Sequence, residues 1–476
     1  MINQSELLGI GIYSSLALLA AIALILLLGY LLQLDRKIGS RVSTLIVPAM
    51  GLGIALSGVL SSRNLKYAAH SIEAVSLGDQ QGDGNSLLRL ITVAIVGLSV
   101  ATIIGRVFRY KQGQVLGSSP ALYISFIAFY ACNALLNAIF GTVPAFSHNT
   151  LYVPVVVTAV FVWRDQPIES FVRAAKLMLV LFMATCLVAA VAKPELALEP
   201  GYKGWIPGLT VRLWGVGSNP NSIGPLSLVL LLLELLVPSS RTLWRNIVFA
   251  LGLSVLALAQ SKTAWVAGAA VLPILAWFRY GRAPGGGMRI GFLFLIIATI
   301  LVICLFLIFG NSTQLLKKLS GGQVGSDIST LSGRLQIWAA AIRAWQDNPV
   351  FGYGPTAWGV LHRTTIGLPF AFSAHNQFLQ SLSVAGTLGL VSLLVYQAVL
   401  GIYCYRIAAQ TKGVSLALFA VVFLRCFTEA PFSSVALFNG EMLTQILLFR
   451  VALLGAPKRQ PRKWRVPVPA ERSLAR

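Results

Sequence analysis

The chain has 476 residues, of which 56% are hydrophobic and 11% are charged. Soluble domains carry about 25% charged residues, so this composition excludes an ordinary soluble protein. The net charge is +22, but basic residues collect in the cytoplasmic loops of membrane proteins, and no DNA- or RNA-binding module is present. We therefore expect membrane lipid, and no nucleic acid, among the partners.

Long apolar segments recur along the whole chain, and about 20 apolar residues are needed to cross the hydrocarbon layer. They predict an all-α polytopic integral membrane protein with about 12 or 13 transmembrane helices. The last segment carries Asn439, Glu441, Gln445 and Arg450, which favours a partly interfacial helix. The predicted spans are about 7–34, 42–60, 87–108, 119–141, 147–163, 170–192, 221–238, 243–260, 262–278, 289–310, 376–405, 413–430 and 434–454.

The distribution of lysine and arginine predicts which loops share a side of the membrane. Basic clusters at 35–41, 106–111, 241–245, 279–289, 406–412 and 458–465 are assigned to the cytoplasm. The opposite, periplasmic side then holds 61–86, 142–149, 193–220, 260–263 and 311–375. The predicted domains are a helix bundle at 1–310, a large periplasmic loop at 311–375, C-terminal transmembrane helices at 376–455 and a basic cytoplasmic tail at 456–476.

The large loop is predicted to contain a helix of its own at about 333–346. Ser332 is a favourable N-cap for this helix, and Asn348-Pro349 would end it. An amphipathic stripe would pack on the membrane or on the protein body. The residues of this stripe are Leu335, Trp338, Ile342 and Trp345.

His375 is the first candidate for chemistry, since it is expected in the first turn of a membrane helix at the outer interface. The positive end of the helix dipole disfavours an imidazolium there, and a neutral imidazole can accept a proton as a general base. A histidine that only forms an interfacial hydrogen bond is the structural alternative, and position alone leaves both open.

Three cations are candidates for holding an anion. Arg334 is expected in the first turn of the loop helix, where a cation opposes the helix dipole; a snorkelling arginine is its structural alternative. Lys262 separates two apolar segments, where a charge is costly and often functional, although an ordinary interfacial lysine would fit too. Arg212 precedes Asn219-Pro220-Asn221, a turn that opens the next helix, and its signal is the weakest.

Several catalytic patterns are missing from the sequence. No Asp-x-Asp pair, no His/Cys cluster and no Gly-x-Ser-x-Gly motif is present. We therefore expect no cofactor and no metal. A synthetic reaction outside the cytoplasm needs an activated donor, and a lipid diphosphate could be held by fixed cations while one base takes the acceptor's hydroxyl proton.

The chain resembles the O-antigen ligase and Wzy-type polymerase superfamily. The resemblance rests on Gln260-Ser261-Lys262, Ser332-Gly333-Arg334, Gly352-Tyr353-Gly354, Ala374-His375-Asn376-Gln377-Phe378-Leu379 and Gly386-Thr387-Leu388-Gly389. It implies a GT-C-like helical membrane fold with the active site under a periplasmic helical loop. It also implies catalytic roles for His375 and Arg334, and binding of the diphosphate by Lys262, Arg334 and Arg212. The family more often has arginine at the position of Lys262.

The resemblance further implies an inner-membrane glycosyltransferase that uses a glycan linked to undecaprenyl diphosphate. The leading hypothesis is an O-antigen ligase, with the lipid A core oligosaccharide as acceptor and with inversion at the anomeric carbon. A Wzy-type polymerase is the alternative, and a protein O-glycosyltransferase shares the same chemistry. A flippase for lipid-linked sugars is an alternative from a different class of protein. The sequence of such a transporter would be expected to show internal symmetry and charged residues near the bilayer midplane.

Overall fold

The computed structural model describes residues 42–61, 63–68, 86–109, 120–164, 166–202, 206, 208–280, 328–369, 371–432 and 437–455. Within these residues the chain is a helical bundle with one two-stranded sheet. The predicted spans at 7–34 and 289–310, the start of the large loop and the basic tail lie outside them. The described part contains five helices that are long and apolar enough to cross a membrane, together with shorter apolar helices. The protein is thus a multi-pass helical membrane protein.

The first half of the chain forms α1 (Val42–Leu60), α2 (Leu65–Ala68), α3 (Ser86–Arg109), α4 (Pro120–Phe140), α5 (Tyr152–Val162), α6 (Ile168–Ala192) and α7 (Pro194–Ala197). Strands β1 (Leu198–Pro200) and β2 (Val211–Leu213) pair antiparallel, with Glu199 opposite Arg212. The second half forms α8 (Pro220–Leu236), α9 (Thr242–Leu258), α10 (Lys262–Tyr280), α11 (Ile328–Asp347), α12 (Val360–Thr365), α13 (Gln377–Arg406), α14 (Val414–Arg425) and α15 (Gly440–Ala452).

Helices α8 and α15 occupy the middle of the bundle. Nearly every residue of both is buried, whereas α3 and α10 expose much of their apolar surface. The last helix is packed inside the bundle, where its polar side chains find partners, and its partly interfacial position stays a prediction. Gln445 Nε2 donates to the carbonyl of Pro431 (2.8 Å), and Arg450 donates to the carbonyl of Gln166.

The loops predicted to share one side of the membrane meet at one end of the bundle, which we call the site end. Arg63 donates to the carbonyls of Leu196 and Gly217, so it joins the loop after α1 to the segment between α6 and α8. The backbone of Thr142 donates to the carbonyl of Gly352 (3.1 Å), which joins the loop after α4 to the large loop. These contacts join the loops in pairs, and the side of the membrane on which they lie stays a prediction.

The loop helix α11 differs from its prediction at its start and on its buried face. It begins at Ile328, so Ser332 lies inside the helix and is not its N-cap, while its end before Asn348 is as predicted. Leu335 and Ile342 are exposed. From Arg334 onward, the buried side chains of α11 are Ile337 and the alanines Ala340, Ala341 and Ala344, and these small alanines let α11 approach α13 closely.

Helix α13 is kinked at Gly386, where φ is 66° and ψ is −163°. The kink frees backbone groups that the large loop then satisfies. Tyr353 N–H donates to the carbonyl of Ser383 (2.8 Å), and Thr387 N–H donates to the carbonyl of Pro349 (2.8 Å). The Gly352-Tyr353-Gly354 and Gly386-Thr387-Leu388-Gly389 motifs therefore dock the large loop onto α13.

We expect Gly386→Ala to destabilise the protein, because this backbone conformation is essentially restricted to glycine and a Cβ would lie 2.3 Å from the carbonyl oxygen of Val350. Strain and overpacking together should cost about 2–5 kcal/mol. The measurement is the thermal unfolding midpoint in detergent. Gly367→Ala is the matched control, since φ is 72° there but nothing lies within 4 Å. A midpoint for Gly386→Ala as high as that of Gly367→Ala would contradict the docking role.

Candidate active site

His375 lies in the turn immediately before α13. Asn376 caps the helix, with its Oδ1 accepting hydrogen bonds from the N–H groups of Phe378 (3.0 Å) and Leu379 (3.1 Å). The predicted place of His375 in the first turn was therefore wrong, and the helix-dipole argument does not apply to it as stated. Its backbone is left-handed, with φ at 47°, and its N–H donates to Ser373 Oγ (3.2 Å).

The imidazole of His375 is paired with a carboxylate that the sequence analysis missed. Nδ1 of His375 lies 3.2 Å from Oε2 of Glu429, and the two side chains are 32% and 14% exposed. Burial alone would raise the pKa of Glu429. The hydrogen bond to His375 and the charges of His375, Arg425 and Arg334 outweigh this, so that the pKa of Glu429 lies below its usual range. Glu429 is therefore an anion that fixes the ring of His375.

Asn221 joins Glu429 to the predicted cation on β2. Its Nδ2 donates to Glu429 Oε1 (2.8 Å), while its Oδ1 accepts from Arg212 Nη2 (2.9 Å) and from Ser261 Oγ (3.3 Å). Arg212 also donates from Nε to the carbonyl of Ala259 (3.0 Å) and stacks on the ring of Tyr202. The Asn-Pro-Asn turn opens α8 as predicted, with Asn219 as the N-cap.

Lys262 is the first residue of α10, after a tight turn in which Gln260 has a positive φ. Both of its neighbours contact the Glu429 network. Ser261 bonds to Asn221, and the hydroxyl of Thr263 lies 3.0 Å from that of Thr428, the residue before Glu429. These contacts bring the start of α10 next to the residues that surround Glu429, although 113 positions separate Lys262 from His375 in the sequence.

Arg334 belongs to the same electrostatic neighbourhood, because its charge contributes to lowering the pKa of Glu429. Since α11 begins at Ile328, Arg334 is in the second helical turn, and the expected opposition to the helix dipole at the first turn is wrong. Trp338, one turn further on, donates from Nε1 to the carbonyl of Ala374 (3.0 Å). This contact ties α11 to the residue before His375.

A second ion pair, between Arg425 and Glu441, contacts the backbone of Asn221. Arg425 is buried and donates from Nη2 to the carbonyl of Asn221 (2.8 Å) and to Glu441 Oε1 (2.9 Å). It links the N-terminal ends of α8 and α15 to the end of α14. The network therefore holds the backbone around Asn221 from both sides.

A cavity of about 440 Å³ opens beside Glu429. Its lining includes the amides of Gln377, Gln380 and Asn133 and the ring of Phe372. Its charged lining residues are Glu429 and Glu441, and no cation of the described part of the chain lines it. A neutral polar ligand therefore fits the cavity better than an anion.

The described residues contain no group of three or more His, Cys, Asp or Glu side chains placed to hold a metal ion. The described cysteines are free, and three of the four are buried among apolar side chains. The functional groups near this site are one histidine, the carboxylates of Glu429 and Glu441, and several cations. This set suits proton transfer and the binding of an anion.

The structure thus defines the class of protein as a helical membrane protein with a histidine–carboxylate pair at one end of its bundle. Residues 247–394 match the family model described as O-antigen ligase. This match spans less than half of the chain, and it confirms the resemblance to the O-antigen ligase and Wzy-type superfamily. A search of the curated proteins found no match.

The matched segment contains Lys262, Arg334 and His375. Arg212, Asn221 and Glu429 lie outside it, and the fold brings them to the same place. The sequence contained one usable signal for Glu429, namely a carboxylate at the end of an apolar segment, where charges are costly and often functional.

Proposed function

We propose that this protein is an O-antigen ligase of the bacterial inner membrane. It transfers a polysaccharide from undecaprenyl diphosphate to a sugar hydroxyl of the lipid A core, in a site on the periplasmic side. The fold would be GT-C-like with about 12 spans. The observation that supports the proposal is the His375–Glu429 pair at one end of the bundle, with Arg212 linked to Glu429 through Asn221 and the charge of Arg334 acting on Glu429.

In the proposed reaction, His375 takes the proton of the acceptor hydroxyl at Nε2. Nδ1 faces Glu429, which sets the ring orientation and stabilises the imidazolium that forms. The acceptor oxygen attacks the anomeric carbon from the face opposite the diphosphate. The bond from that carbon to the diphosphate oxygen breaks, and the electron pair leaves with undecaprenyl diphosphate, which gives inversion.

The cations would stabilise the leaving diphosphate. Positive groups aimed at developing charge in a site shielded from water can contribute several kcal/mol. Arg212 is oriented by Asn221 and Ala259, and Arg334 by the docked loop helix. The cavity beside Glu429 would receive the acceptor, since its amides and hydroxyls suit a sugar and its carboxylates disfavour the diphosphate.

Lys262 gives a direct test of leaving-group stabilisation. We expect Lys262→Gln to lower kcat about 100-fold, because a fixed positive charge is lost where negative charge develops. Lys262→Arg should stay within about tenfold of wild type, since it keeps the charge. The measurement is steady-state transfer by the purified protein from a lipid-linked donor to a core acceptor. Equal loss in both variants would contradict a purely electrostatic role.

The function itself is tested by lipopolysaccharide gels of a strain lacking the protein, with or without complementation. We expect core without any O-chain, together with accumulation of lipid-linked polymer, and recovery with the wild-type chain. Core bearing a single repeat would instead identify a Wzy-type polymerase. A normal ladder in the deletion strain would exclude the ligase and an O-antigen polymerase, and would leave an exopolysaccharide polymerase or a transferase with a glycoprotein acceptor.

A further inference from the structure

A second cavity, of about 560 Å³, lies at the end of the bundle opposite the site end. It is lined by the C-terminal ends of α8 and α10, the first turns of α9 and the turn between α13 and α14. Helix α10 alone has 19 residues, so at about 1.5 Å per residue the two ends are about 28 Å apart. This cavity is therefore separate from the candidate active site.

Three cations from three different elements line this cavity: Arg245, Arg279 and Lys412. None of them forms an ion pair within the described part of the chain. The carboxylate in the lining, Glu234, is already compensated, because its Oε2 accepts from Lys176 Nζ at 2.7 Å. The cavity therefore carries a net positive charge.

Apolar side chains form the rest of the cavity wall and its surroundings. Phe249 and Phe278 line it. On the neighbouring helix surface, Leu243 is 75% exposed and Leu272 is 64% exposed, as expected for side chains that contact lipid tails. A soluble anion would contact only the cations, whereas a molecule with an anionic head and hydrocarbon tails would contact both the cations and the apolar surface.

We propose that this cavity binds the phosphate headgroup of an anionic glycerophospholipid, with the acyl chains lying on the apolar surfaces of α9 and α10. The lipid would hold together the ends of α8, α9 and α10 and the α13–α14 turn. The proposal rests on the membrane nature of the protein and not on the proposed transferase activity. It places a structural lipid at the face of the bundle away from the chemistry.

The test is native mass spectrometry of the purified full chain with phosphatidylglycerol or phosphatidylcholine. We compare wild type with the triple variant Arg245→Gln, Arg279→Gln, Lys412→Gln. Each cation near anionic lipid contributes about fivefold to binding, so retention of phosphatidylglycerol should fall at least about tenfold in the triple variant. Phosphatidylcholine retention should be low in both proteins.

The matched control removes three other exposed cations near the same end, with Arg173→Gln, Arg241→Gln and Arg406→Gln. It should keep phosphatidylglycerol, and sn-glycerol 3-phosphate should not compete with the lipid. Equal loss in the control would mean diffuse attraction without a site, and competition by glycerol phosphate would mean a soluble anion site; either result overturns the proposal. If the triple variant does not fold, the single variant Arg245→Gln gives the same comparison against Arg241→Gln.

Discussion

His375→Ala is expected to abolish measurable transfer while leaving the lipid-linked donor bound. A positioned general base contributes about 10²–10⁴-fold to the rate, and alanine cannot accept the proton. The cations proposed to hold the diphosphate are untouched by this change. The measurement is single-turnover transfer by the purified protein, together with donor binding at equilibrium.

His362→Ala is the matched control for this variant. His362 lies in the same large loop and stacks on the ring of Tyr353, with 4.0 Å between the ring centroids, and it takes no part in the Glu429 network. Its variant should keep the transfer rate. Turnover by His375→Ala within about tenfold of wild type would end the general-base proposal. Loss of donor binding in His375→Ala would indicate that His375 binds the donor.

Glu429→Gln is expected to lower kcat about 100-fold or more, with donor binding retained. The amide keeps the shape of the side chain but loses the charge that orients His375 and stabilises its protonated form. The same variant should change the pH dependence of stability. Because the folded state lowers the pKa of Glu429, its stabilising contribution is present above the usual carboxyl value of about 4.3 and is lost as the pH falls through the folded value.

The unfolding midpoint of wild type should therefore fall more steeply on acidification below about pH 4.3 than that of Glu429→Gln. Glu195→Gln is the control, since this carboxylate is at the same end of the bundle and forms no hydrogen bond with His375. A control that loses as much activity as Glu429→Gln would show that any change of charge at this end matters. Full activity of Glu429→Gln would remove the carboxylate from the mechanism.

The position of most helices could be predicted from the sequence because spanning helices must be long and apolar. The cap at Asn219 and the end of α11 before Asn348 follow from local backbone preferences. The buried face of α11 could not be predicted this way. Small residues such as Ala341 became buried because α13 approaches closely, whereas Leu335 stayed exposed.

The candidate cations and His375 were recognisable one by one, because a charge or an imidazole beside an apolar segment stands out. Their mutual arrangement was not. Nothing near Glu429 in the sequence marks it as functional, because it meets His375 only where the chain after α14 packs against the turn before α13. Asn221 likewise has no distinguishing local pattern, because its bridge between Arg212 and Glu429 forms only in the folded protein. Hydrogen bonds between positions 208 residues apart leave no local pattern.

The sequence by itself determined that the protein is a polytopic membrane protein with an O-antigen ligase-type set of motifs, since composition and local spacing are properties of the chain alone. Only the tertiary structure decided that His375 is paired with Glu429, that the glycine motifs join the large loop to the kink of α13, and that the polar last helix is buried. Each of these depends on packing between distant segments, where burial and hydrogen-bond partners are set by the neighbouring helices.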